Sequence, residues 1–153
     1  MATIVRSTPS PFVMAIVNPV VEFLVRRGRG PIAKRLMVLH WTGRKTGTAY
    51  STPVSRHEFD GRLFTKTRAG YKYNFVGGGP AELIVDGERR PVVGTTIDDP
   101  EIVGRRMRAV LDELGTKQGA RALSLKIEGD PKADELARFA ADDGLVVLDF
   151  TPT

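Results

Sequence analysis

Short apolar or β-branched runs alternate with tight glycine turns over residues 36–97, and this pattern constrains the fold more than any other feature. LMVLHW runs into TGRKTG. AYSTPVSRHEF and RLFTKT flank Asp60-Gly61, and AELIVD and RRPVVGTTI flank Gly87-Glu88. Asp-Gly and Gly-containing pairs supply the positive φ that two-residue hairpins need. Connections this short join antiparallel neighbours, because a parallel crossover takes a dozen residues or more. Five strands therefore occupy residues 36–97, and LVVLDF near the C-terminus reads as a sixth that returns to the sheet. Pro53 cannot donate to a ladder, so its strand lies at an edge or is bulged there.

The period changes after Ile97. Ile102, Val103, Met107, Val110, Leu111 and Leu114 recur at helical spacing. Asp98 or Asp99 caps this helix, Pro100 fits its first turn and Gly115 ends it. A second helix, DPKADELARFAADD, follows Gly129. An antiparallel sheet of about six short strands with a few helices is an α+β arrangement, and closure into a small barrel would remove exposed edges. Residues 11–27 read as an amphipathic helix. Asn18, Pro19 and Glu22 interrupt its apolar run, so it is neither a secretory signal nor a membrane span. Its apolar face is covered either by the domain or by a membrane surface, with Arg26, Arg27 and Arg29 meeting lipid phosphates. The expected organisation is an arm over residues 1–30 and one barrel domain over residues 31–153.

Charge is distributed unevenly. Residues 1–72 carry 13 Lys and Arg against 3 acids, and residues 73–153 carry 10 against 15. A basic half calls for an anionic partner. Nucleic acid is disfavoured, because no aromatic-lined sheet face with interleaved basic residues is evident. There is no cysteine, so neither a disulfide nor a thiolate site is available, which is compatible with a reducing cytoplasm. With His40 and His57 alone, a histidine metal site is not expected.

Two strand ends concentrate the chemistry. TGRKTG offers Arg44, Lys45, Thr42 and Thr46, and the end of RLFTKT offers Lys66, Arg68, Thr65 and Thr67, with Lys72 beyond. Such a set suits a phosphate or carboxylate held by several charge-assisted hydrogen bonds. Tyr71 and Tyr73 would line the apolar part of the same pocket. The bland alternative is a solvated basic turn beside ordinary half-buried aromatics. Gly77 to Gly79 is no phosphate loop, since it lacks the lysine-serine pattern that follows one.

LMVLHWTGRKTGTAYSTPV resembles the signature of the deazaflavin-dependent nitroreductases, the F420-dependent split β-barrel proteins of actinobacteria. In that family an apolar strand enters a T-G-R-K/R-S/T-G turn, and a proline follows on the next strand. A second family signature, W-Y-x-N-L and then N-P, resembles Tyr71-Lys72-Tyr73-Asn74-Phe75 followed by Gly79-Pro80. Tyr71 stands where the family has tryptophan, and Thr67-Arg68-Ala69-Gly70 where it often has S-K-G-G. The resemblance covers residues 36–152 and matches least over residues 116–142. It implies an F420-dependent oxidoreductase that passes a hydride to a small-molecule acceptor: a quinone, nitroaromatic or activated alkene. It also implies that Arg44, Lys45 and Thr46 meet the cofactor phosphate or its acidic tail. Tyr50, Ser51, Thr52, Pro53 and Val54 would run beside the ribityl chain and ring. Lys66, Thr67 and Arg68 would lie near the ring and phosphate, and Tyr71 and Asn74 fall in the second signature. Tyr71 or Tyr73 would be the proton donor. Related split barrels bind FMN, whose phosphate would suit the same turn, and a non-catalytic binder of F420 or lipid is the remaining alternative.

Overall fold

The computed structural model describes residues 2–6, 23, 25–28, 30 and 34–153. The two Asp-Gly turns form as local chemistry requires. Asp60 and Gly61 have φ of 56° and 79°, and Asp86 and Gly87 have 54° and 75°. Two successive positive φ values match the right-handed twist of the flanking strands. The second hairpin therefore turns at Asp86-Gly87, one residue earlier than expected.

Described strands are β1 (Thr3–Arg6), β2 (Leu36–Thr42), β3 (Ala49–Ser55), β4 (His57–Phe59), β5 (Arg62–Thr67), β6 (Gly79–Val85), β7 (Glu88–Ile97), β8 (Leu125–Glu128) and β9 (Val146–Pro152). A short 3-10 turn, Gly70–Phe75, follows β5. The helices are α1 (Pro100–Leu114), α2 (Thr116–Ala122) and α3 (Ala133–Asp143). Seven strands form one antiparallel sheet in the order β3-β2-β6-β7-β9-β5-β4, while β1 pairs separately with β8.

AYSTPVSRHEF is not one strand. It divides at Arg56 into β3 and β4, which are the two opposite edges of the seven-stranded sheet. One residue joins the two edges, so the sheet is rolled on itself. The Arg56 N–H donates to the Arg35 carbonyl at 2.8 Å, and the hydroxyls of Ser55 and Thr65 meet at 2.9 Å across the gap. The result is a curled half-barrel of seven strands, one more than expected. The proline strand, β3, is an edge, as Pro53 requires.

The roll separates two cores. Met37, Leu39, Trp41, Val54, Phe75, Leu83, Val92, Leu148 and Phe150 fill the inside. Phe64 and Val147 face outward against Val103, Met107, Val110 and Leu111 of α1 and Leu136 and Ala140 of α3. Asp99 caps α1 by accepting from the Glu101 N–H at 3.0 Å, Pro100 opens it and Gly115 closes it. Arg106 of α1 does not belong to a solvated helix face. It is 7% exposed and pairs with buried Asp149 of β9 at 2.5 and 2.9 Å. Its guanidinium lies 4.8 Å from the Phe59 ring and 5.0 Å from the Phe64 ring. Most of the helix expected over residues 11–27 lies outside the described residues. At its end, residues 25–27 are helical, and Val25 is buried against Val38 and Ile84 on the outside of the barrel. That contact explains why β2 is apolar on both faces. Among the described residues no helix is long and apolar enough to cross a membrane.

Candidate functional site

Where the two sheet edges approach without a hydrogen-bonded ladder, the barrel wall opens into a cleft of about 980 Å³. Pro53, Val54 and Ser55 of β3 line one side. Val110, Glu113 and Leu114 of α1 and Gln118, Arg121 and Ala122 of α2 line another. His57, Lys66, Tyr71 and Ser124 also line it, with Lys34, Arg35, Arg56, Glu58 and Asp86 completing its boundary. Among these described residues, five Lys and Arg face three acids, and one of the five, Arg56, forms a bidentate pair with Asp86 at 2.7 and 3.0 Å.

Aromatic rings gather beside the cleft. Trp41 is buried within β2. Its ring stacks on Tyr50 at 5.4 Å and 24°, tilts against Tyr71 at 4.9 Å, and meets Phe75 edge-on at 6.2 Å. Tyr50 is 44% exposed, so the stack continues outward from the core. Burial pushes the Tyr71 hydroxyl above its ordinary pKa, and a hydrogen bond with Thr67 partly opposes this. The phenol therefore stays protonated at neutral pH.

Two basic groups in the cleft are perturbed. Burial, and then the charge of Lys66, lower His57 to about 4, so its imidazole is neutral at pH 7. Burial, and then Arg68, lower Lys66 to about 8. The Lys66 ammonium donates to the Ser124 hydroxyl at 3.4 Å.

The residues singled out in the sequence divide into two groups. Pro53, Val54, Lys66 and Tyr71 line the cleft, with Tyr50 joined to Tyr71 through Trp41. Arg44, Lys45, Thr46 and Asn74 lie at the turn. There the Arg44 N–H donates to the Asn74 side-chain carbonyl at 2.8 Å. The Arg44 Nη2 donates to the Val76 and Gly78 carbonyls at 3.1 and 2.7 Å. The turn is thus latched to the glycine-rich segment before β6. Thr46 accepts from the Thr48 N–H at 3.2 Å, and Lys45 is exposed. Ser51 is exposed on β3, and the Thr52 hydroxyl donates to the Pro53 carbonyl at 3.4 Å. Thr67 accepts from the Ala69 N–H at 2.9 Å, and Arg68 pairs with Asp143, the last residue of α3. Tyr73 is 68% exposed beneath the Lys72 ammonium and does not line the cleft.

Sequence reasoning passed over His57, Ser124 and the α2 wall. No local pattern marks them, because their common feature is the closure that brings β4, α2 and Ser124, two residues past α2, to one place. Among solved structures, the chain is similar to an F420 reductase, with 15% identity and a TM-score of 0.39, over 86% of this chain and 92% of that one. No protein-family model matches the chain, and no curated protein does.

Proposed function

We propose that the cleft binds coenzyme F420 and that the protein is an F420-dependent reductase acting on a small electron acceptor: a quinone, nitroaromatic or activated alkene. The observation that carries this reading is the Trp41–Tyr50–Tyr71 cluster beside a cleft with an excess of cations. A flat heteroaromatic ring with an anionic chain asks for those two surfaces together. The TGRKTG and YKYNF resemblances point to the same cofactor. The donor set fits it: Lys66, Lys34, Arg35 and Arg121 are available to phosphate or carboxylate oxygens, and the exposed edge of Tyr50 is available to a ring.

When bound, the reduced deazaflavin supplies the hydride. The chain supplies position and protons. Trp41, packed on three aromatic neighbours, is a rigid support against which Tyr50 and Tyr71 hold their orientation. Buried Val54 and Val110 give the cleft apolar walls. Tyr71 keeps its proton because burial disfavours the phenolate, and it faces the cleft, so it is the donor that completes reduction of the acceptor. Tyr73, outside the cleft, is not given this role.

Fluorescence of Trp41, the only tryptophan, tests the cofactor directly. Titration with F420 should quench it saturably, and FMN at the same concentrations should not. Quenching by FMN alone, with flavin absorption bands in the purified protein, would reassign the site to FMN. Tyr71→Phe should keep F420 affinity close to that of the parent and slow turnover. Unchanged turnover would transfer the proton-donor role to solvent.

A further inference from the structure

Three cations are partly or wholly withdrawn from solvent around the junction of β5 with the helices. Arg106 has Asp149 and Arg68 has Asp143. Lys66 has no carboxylate partner among the described residues; its contact is the Ser124 hydroxyl. Beside it, His57 pairs across the β4–β5 ladder with Phe64, which places His57, Phe64 and Lys66 on one face of the sheet. The His57 side chain is 7% exposed, and its Nε2 is closed off from solvent with no hydrogen-bond partner among the described residues. A half-buried cation without a counter-charge and a buried imidazole nitrogen without a hydrogen-bond partner are both unfavourable. Both line the cleft, and beside them the cleft wall is apolar at Val110, Leu114 and Ala122.

We propose that this helix-side end of the cleft is a binding site for a small apolar carboxylate, paired with the Lys66 ammonium and accepting a hydrogen bond from the His57 imidazole. The apolar body of the ligand lies against Val110, Leu114 and Ala122, and the carboxylate supplies the counter-charge that Lys66 lacks. At neutral pH the neutral imidazole offers its N–H without adding a second charge, and Lys66 is largely protonated. Arg68, beyond β5, acts on Lys66 directly, and the other charged groups lining the cleft are Glu58 on β4, Glu113 on α1, Arg121 on α2, and Lys34, Arg35, Arg56 and Asp86. An anion beside Lys66 raises its pKa, so carboxylate binding weakens as pH rises through about 8. Lys66 is also among the cations offered to F420 in this cleft, but carboxylate binding to the cofactor-free protein does not depend on the F420 reading.

Calorimetric titration of the cofactor-free protein with 1-naphthoate and with 1-naphthalenemethanol tests it, since the two probes share a ring system and differ in charge. Naphthoate should bind at least tenfold more tightly than the alcohol at pH 7, a preference that should shrink between pH 7 and pH 10. Lys66→Met should abolish the preference, and His57→Gln should reduce it, with circular dichroism confirming that both variants are folded. Equal affinity of the parent protein for the two probes would overturn the proposal. So would a preference for naphthoate that persists unchanged in both folded variants. Failure of F420 to quench Trp41 would leave these titrations unaffected, so the two readings fail separately.

Discussion

Lys66 and Arg106 are both cations at the outer face of β5, yet their surroundings differ. Arg106 lies over Phe64 and is held by both oxygens of Asp149. Lys66, two residues further along the strand from Phe64, has one hydroxyl and an opening to the cleft. A paired and buried charge fixes helix α1 to the sheet. A half-buried charge without a carboxylate is a cost in the ligand-free fold, which either an anionic ligand or loss of the proton removes. The turn at Arg44 shows a third arrangement, in which a conspicuous cation is tied to backbone carbonyls while remaining exposed. Prominence in the sequence therefore does not rank these charges by their availability to a ligand.

The largest effect should come from breaking the paired side. Asp149→Ala leaves Arg106 buried and uncompensated, and should cost about 3–5 kcal/mol of stability in chemical denaturation. A loss below about 1 kcal/mol, the value of an exposed pair, would mean that the seam is hydrated and the contrast with Lys66 is small.

Lys66→Met should move stability in the opposite direction. The folded pKa of about 8 lies below the ordinary value of 10.5, so folding disfavours the charged form. The cost is fully present below pH 8 and disappears as pH rises towards 10.5. Parent stability should thus rise relative to the variant across that window, by up to about 3 kcal/mol. Denaturation curves at pH 7 and pH 10 measure this. Parallel pH profiles for the two proteins would show that Lys66 is fully solvated.

The turn should give the smallest change. Arg44 lies outside the cleft lining and is tied to Val76 and Gly78, so Arg44→Ala should weaken F420 binding by less than about tenfold, under about 1.4 kcal/mol, with little change in turnover at saturating cofactor. Affinity should fall with added salt less steeply in the variant than in the parent. An F420 affinity unchanged across the salt series would restrict Arg44 to its latch on Val76 and Gly78.

Local signals were legible wherever a few adjacent residues decide the conformation. Asp60-Gly61 specifies a turn through positive φ. Asp99, Pro100 and Gly115 delimit α1 through capping and φ. The apolar and β-branched runs beside glycine turns announce β5, β7 and β9, and the helical period announces α1. The basic turn and the tyrosines of the second motif were also visible as candidates, because charge and aromaticity are properties of single side chains. What was not legible depends on residues far apart in the chain. The division of AYSTPVSRHEF at Arg56 has no local marker; it arises because rolling the sheet makes one segment serve both edges. Arg106 looks like any other helix arginine until Asp149, 43 residues later, meets it inside the fold. The pairing of β1 with β8, the short helix α2 and the neighbours of His57 likewise follow from tertiary closure. The sequence by itself determined the turns, caps and strand periods, since these are settled by backbone sterics and hydrogen bonds within a few residues. Only the tertiary structure decided which charges are paired and which face the cleft, because burial and Coulomb contact depend on distance in space rather than along the chain.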